Sequence, residues 1–174
     1  VNRPHFNIKQ ILPFLILAAL AISIASLTIG KEIYGQSEHT QITFAIINFS
    51  GYLFFLLMPV ELAFIYYLHV GMDVYWLNAV AVSTAIAAQL VDYYIGRSLS
   101  TKIIDKMIGR HRYEKAEAEI RKYGNIAIFA FNLLPLSSPV ILLAAGMLKH
   151  RLKEAILYSF AGLLLKYLMI SLIF

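Results

Sequence analysis

A proline-broken apolar stretch constrains this chain more than any other feature. Residues 125–147, NIAIFAFNLLPLSSPVILLAAGM, are long and apolar enough to cross a bilayer. Their centre, Leu134-Pro135-Leu136-Ser137-Ser138-Pro139, does not suit a straight transmembrane helix. Proline lacks the backbone donor and clashes with the preceding turn. Ser138-Pro139 has the pattern of an N-cap followed by proline at the first helical position. The stretch therefore predicts two half-helices meeting in mid-membrane, with breaks at Pro135 and Pro139. Non-helical backbone at that depth survives only against protein or a water-filled cavity.

Composition agrees with a bilayer environment. Of 174 residues, 60% are hydrophobic and 14% charged, more apolar surface than a soluble domain of this size can bury. No polar linker divides the chain, so one domain is expected. Cysteine is absent, which excludes disulfides, thiolate metal sites and thiol nucleophiles. The net charge of +5 fits basic cytoplasmic loops and anionic lipid better than nucleic acid. The chain opens at Val1, as expected where the first residues have been processed or left out.

The first apolar run, 11–29, follows Arg3, His5 and Lys9. It exceeds a signal-peptide core and lacks a small-x-small cleavage site, so a retained span is expected. Residues 42–70 form a second overlong run, with Met58-Pro59-Val60-Glu61 at its middle. Pro59 predicts another break. Gly71-Met72-Asp73 predicts a tight turn. Residues 74–96 make an ordinary span, with Tyr75 and Trp76 at one end and Tyr93 and Tyr94 at the other as aromatic belts. Thr84 and Ala88 give it a small-xxx-small face. Residues 97–124 carry eight Lys/Arg and predict one or two amphipathic helices on the membrane surface, with a Glu117–Arg121 pair and Gly124 as the stop. A last span covers 155–174.

Charge chooses between topologies. If both broken runs span, basic loop residues divide nine inside to five outside; if both re-enter, they divide thirteen to one. The expected fold is an all-α integral membrane protein. Its spans are 11–29, 74–96 and 155–174, its re-entrant hairpins 42–70 and 125–148, and its cytoplasmic amphipathic helices lie in 97–124. The hairpins have opposite orientations, the layout of inverted-repeat transporters. The N-terminus and 97–124 belong in the cytoplasm.

Ionisable groups at bilayer depth are costly and tend to be functional. Glu61 leads as a proton-carrying candidate, ahead of a plain capping role. Asp92 is balanced between a site residue and an interfacial carboxylate, and Gln89 lies one turn deeper on its face. Lys166 either pairs with Glu61 or Asp92 or snorkels. Asn132, Ser137 and Ser138 supply neutral hydrogen-bonding groups, or only satisfy backbone freed by the prolines. No metal-ligand spacing, nucleophile elbow or phosphate-cradling loop is present, so neither enzyme nor cofactor is expected.

Residues 44–174 resemble the DedA family, also called VTT-domain or SNARE-associated Golgi proteins. Pro59 and Glu61 match the close of the family's P-x-P-[AG]-E. Thr84, Ala88, Gln89, Tyr93, Gly96 and Arg97 fall on its G-x-x-x-G-D-x-x-x-Y-x-x-G-R. Phe129, Asn132, Leu133, Pro135, Ser138 and Ala145-Gly146 fall on its second hairpin. Asn132 and Ser138 replace family arginines, Gln89 replaces an aspartate and Leu53 an acidic position. The ending Gly162 to Tyr167 is similar to the small YqaA-like branch.

The resemblance implies a flippase or scramblase of the plasma (cell inner) membrane that moves polyprenyl-phosphate or phospholipid, with proton coupling in bacteria and archaea. With the family arginines missing, two readings stand in place of their anionic headgroup site: a zwitterionic lipid, or a site that uses Arg97 or Lys166 instead. Two other classes stand beside it: a scaffold recruiting partners or anionic lipid through Arg110, Arg112 and Lys115, and an ion or small-solute channel. A homo-oligomer is left open.

Overall fold

A computed structural model describes residues 40–53, 60–98, 110–134 and 138–174, with Ile16, Ala19 and Ser23 as isolated positions. The 11–29 span, Pro59, Pro135, Ser137 and residues 99–109 lie outside the described residues, and so do the side chains of Ser138 and Pro139. Every regular element among the described residues is helical.

Local chemistry sets the boundaries. Helix α1, Gln41–Tyr52, starts where the Thr40 hydroxyl accepts the Thr43 N–H at 3.2 Å. It ends at Leu53, whose backbone is extended. Helix α2, Val60–His69, carries Glu61 in its first turn, where the helix dipole favours a negative charge. It stops at Gly71, with φ of +89°, in the turn the sequence predicts. Asp73 Oδ1 then accepts the Trp76 N–H and caps α3, Val74–Ser98. Helix α4, Arg110–Tyr123, is held on its outer face by Arg110–Glu114 and Glu117–Arg121 pairs at 2.7 and 2.8 Å. A hydrogen bond from Tyr113 and the Arg121 guanidinium hold the Glu117 carboxyl below its usual range. Gly124, φ +58°, separates α4 from α5, Asn125–Leu133. Helix α6 is described over Ser138–Met147. Helix α7 is Leu152–Ile173.

Length separates these helices into two kinds. At about 1.5 Å per residue, α3 and α7 reach about 37 and 33 Å, enough for a bilayer core of about 30 Å. The same rise gives α1, α2, α5 and α6 only about 14–18 Å. The short helices form two pairs that double back. The Phe44 ring near the start of α1 packs on Phe64 and Tyr67 toward the end of α2, at 6.0 and 5.2 Å. Asn125 at the start of α5 bonds His150, just past α6.

The long helices run antiparallel. Asn78 near the start of α3 donates to Ser171 near the end of α7 at 2.8 Å, and Tyr93 near the end of α3 donates to the His150 carbonyl, just before α7. The α1–α2 pair therefore opens toward one end of the α3–α7 pair, and α5–α6 toward the other.

Two apolar cores follow. One joins α1, α2, α3 and α7 around Phe44, Phe64, Tyr67, Ala81, Ala85 and Leu163. The other joins the end of α3 to α4, α5 and α6 around Ile95, Ile128, Ile141, Leu142 and Ala145. Small residues set the closest approach. A Cβ on Gly96 would lie 2.0 Å from the Leu143 carbonyl oxygen, and one on Gly146 2.0 Å from that of Tyr93. The small face of α3 thus extends past Thr84 and Ala88 to Gly96.

Two sequence expectations change. Tyr93 is fully buried with its hydroxyl satisfied, so only Tyr94, Tyr75 and Trp76 remain as exposed belt aromatics. Helix α4 buries Tyr113, Ala116 and Ile120 against α5 and α6, so protein rather than lipid covers its apolar face.

The outward faces of α3 and α7 are apolar. Only 39% and 28% of the most hydrophobic windows of α3 and α7 are buried inside the protein, whereas a soluble core helix would be mostly covered. Leu157, Leu165, Leu168, Met169 and Leu172 point outward from α7. Surfaces of this kind belong against hydrocarbon.

Candidate functional site

Among the described residues, five of the buried polar side chains, Asn48, Gln89, Asn132, Ser159 and Lys166, fall in two groups, one toward the tip of each short pair. At the first tip, Lys166 is 4% exposed. Its Nζ donates to Glu61 Oε1 at 2.8 Å and to the Tyr52 hydroxyl at 2.7 Å. It also lies 5.2 and 5.3 Å from the ring centroids of Tyr52 and Tyr167. The Tyr167 hydroxyl reaches Asn48 Oδ1 at 3.0 Å and the Tyr52 hydroxyl at 3.1 Å. Asn48 donates onward to the Ala81 carbonyl and the Thr84 hydroxyl, at 2.8 and 2.7 Å. Four helices thus converge on one ion pair. The ammonium is desolvated but doubly hydrogen-bonded and faced by two π clouds, the conditions under which a buried charge is tolerated.

At the second tip, Gln89 on α3 donates through Nε2 to Asn132 Oδ1 on α5. Asn132 Nδ2 donates to the Ile128 carbonyl and to the Ser159 hydroxyl on α7, at 2.9 and 3.2 Å. All three residues are fully buried. Gln89 Oε1 has no hydrogen-bond partner among the described residues. Gly162 lets α5 approach: a Cβ there would lie 2.6 Å from the Phe129 carbonyl and 2.9 Å from Asn132 Cβ. Seven residues separate Ser159 from Lys166, so the groups lie about 10 Å apart along the bundle axis.

The sequence candidates distribute unevenly over this geometry. Lys166 takes Glu61 as its carboxylate partner and not Asp92. Gln89 and Asn132 meet directly. Asp92 is 1% exposed on α3, next to Gln89 but beyond both groups just described. Arg97 is exposed at the end of α3, with Nη1 3.3 Å from the Tyr93 hydroxyl. Pro59, Pro135 and Ser137 lie outside the described residues, and Ser138 and Pro139 are placed only as the first residues of α6.

Sequence reasoning missed Asn48, Tyr52, Ser159 and Tyr167 as members of the site. The one signal they gave was position. Asn48 and Tyr52 are four apart, so that pair shares a helix face.

Comparison with known proteins bears on this arrangement. A family model described as VTT domain matches residues 49–174. The chain belongs to the VTT-domain family. No curated protein and no solved structure matches the chain. The VTT match takes in every sequence candidate from Glu61 to Lys166 and stops one residue short of Asn48. VTT membership and the two span-length helices with lipid-compatible surfaces make this a membrane protein.

Proposed function

We propose that this VTT-domain protein moves lipid between the leaflets of the cell membrane, leaving the lipid chemically unchanged. In this reading α1–α2 and α5–α6 are re-entrant hairpins dipping from opposite faces, and α4 lies on the cytoplasmic side. Their half-bilayer lengths support it, and so does the thirteen-to-one division of basic residues. A headgroup would travel beside the polar groups along α3 and α7 while its acyl chains remain in the hydrocarbon. Gln89, Asn132 and Asp92 line the cytoplasmic half of that path, with Ser137 and Ser138 at the second break. Glu61 carries the coupled proton.

The observation that carries this reading is the Glu61–Lys166 pair at the tip of a short helix pair, where an ionisable residue is hard to justify by stability alone. Reconstitution tests it. Liposomes containing a fluorescent short-chain phospholipid should show transbilayer movement with the wild-type protein. Glu61→Gln should slow it by about tenfold or more, since it removes the proton-accepting group from the path. An unchanged rate removes Glu61 from the mechanism; no movement with wild type removes the lipid reading.

A further inference from the structure

Lys166 lies in surroundings suited to an oxyanion, and the chain itself already supplies one. Two of its three protons go to Glu61 and Tyr52, and the rings of Tyr52 and Tyr167 wall it. A carboxylate oxygen and a phosphate-ester oxygen ask the same thing of such an ammonium, a short charge-assisted hydrogen bond. Glu61 is the open side of the pair. Its side chain is 25% exposed against 5% for Lys166, and Leu62, next in sequence on α2, is exposed. An anion approaching Lys166 along that face meets the position that Glu61 fills.

The element bearing Glu61 is also the less tightly held of two counterparts. Helix α6 is locked to α3 through backbone contacts at Gly96 and Gly146. Helix α2 meets α7 more sparsely, through the Glu61–Lys166 pair and the Phe64–Tyr167 rings at 4.7 Å.

We propose that Lys166, with the Tyr52 hydroxyl, is the headgroup site of this chain, that it binds the phosphate-ester oxyanion of a lipid, and that Glu61 fills it as an internal surrogate when no lipid is bound. The inference rests on the lipid reading above and adds the binding residues and the exchange. Charge balance dictates its form. Among the described residues, the groups facing Glu61 are Lys166 and Tyr167 from α7 and Tyr52 from α1, and Lys166 is the one cation among them. A single cation cannot hold two anions in a low-dielectric site without leaving one uncompensated. Glu61 therefore takes up one proton as one phosphodiester binds, and releases it when the lipid leaves.

Calorimetric titration of the full chain in detergent, between about pH 5 and pH 8, tests this with dioctanoyl phosphatidylglycerol, whose phosphodiester charge does not change across that range. Wild type should bind it more tightly as pH falls, by up to about tenfold per pH unit where one proton is linked. Glu61→Gln should bind tightly with no pH dependence, and Lys166→Arg should retain binding. Lys166→Met should abolish it. Unchanged affinity in Lys166→Met, or a pH slope that persists in Glu61→Gln, overturns the proposal. Should Lys166→Met not yield monodisperse protein, the Glu61→Gln profile decides alone. Equal binding of dioctanoylglycerol overturns the phosphate assignment. Equal binding of glycerophosphoglycerol, which has no acyl chains, overturns the lipid as occupant. Intact pH-linked binding without movement in liposomes sinks the transport reading and leaves the site; movement without Lys166-dependent binding does the reverse.

Discussion

At the scale of single residues, Lys166 ties α7 to both helices of the first short pair. Its ammonium is fixed by Glu61 from α2 and Tyr52 from α1. Replacing it by methionine keeps the stem but strands the Glu61 carboxylate and leaves the Tyr52 hydroxyl with Tyr167 as its remaining partner. Breaking a buried pair from one side is costly, and the quarter-exposed Glu61 side chain moderates the penalty to about 2–3 kcal/mol. Lys166→Met should therefore lower Tm in detergent, and adding Glu61→Gln should recover most of the loss. A Tm that does not respond to the second substitution would show that the pair is not what is being broken. Glu61 and Lys166 are legible in the sequence because a charge inside an apolar run is conspicuous. Tyr52, Tyr167 and Asn48 are not. A phenol in an apolar run has the appearance of a lipid-facing aromatic, and its hydroxyl partner is set by how distant helices pack. Asn48 and Lys166 are joined through tyrosine hydroxyls across more than a hundred residues of chain.

At the scale of elements, glycine acts here for two different reasons. Gly96 and Gly146 sit in helices with ordinary backbone angles, and what they supply is absence of bulk. A methyl at either would lie 2.0 Å from an opposing carbonyl oxygen, which forces α3 and α6 apart along their whole contact. Gly96→Ala and Gly146→Ala should each cost about 3 kcal/mol or more, at the upper end of overpacking penalties, because the obstacle is backbone rather than a movable side chain. Gly71 has open space around it but a φ of +89°. Gly71→Ala should cost about 1–2 kcal/mol through backbone strain alone. Thermal unfolding of the three variants in one detergent orders them; equal Tm losses would show that close approach is not the larger effect. The Gly71 turn could be read from Gly-Met-Asp between two apolar runs. The packing glycines could not, because a small residue in a helix does not announce which neighbour needs it. The α4 helix was visible for a third reason, its Tyr113, Ala116 and Ile120 spacing, although period alone leaves the covering surface undecided between lipid and protein.

At the scale of the whole molecule, the question is whether the two short pairs turn back or cross. Hydropathy sees only apolar length and would count residues 42–70 and 125–148 as spans. Prolines mark the breaks, and basic residues supply the vote between topologies; both cues are in the sequence. The depth at which each pair reverses is not, because it depends on which polar groups the tips find. In the structure the first tip finds Lys166 and the second finds Gln89 and Ser159. The chain contains no cysteine, so single cysteines can report sidedness without removing native ones. Gln41→Cys and His69→Cys should react with an impermeant maleimide from the same side of sealed vesicles. Lys149→Cys and Lys153→Cys should react only from the opposite side, together with Lys122→Cys on α4. Tyr75→Cys should follow Gln41, since α3 starts where α2 ends. Labelling of Gln41→Cys and His69→Cys from different sides would make α1–α2 a span and reverse the orientation of everything after it. Glu61 and Lys166 would still meet, but as a bond within a crossing bundle rather than at the tip of a re-entrant pair. No lipid-accessible anion site would then follow from their contact.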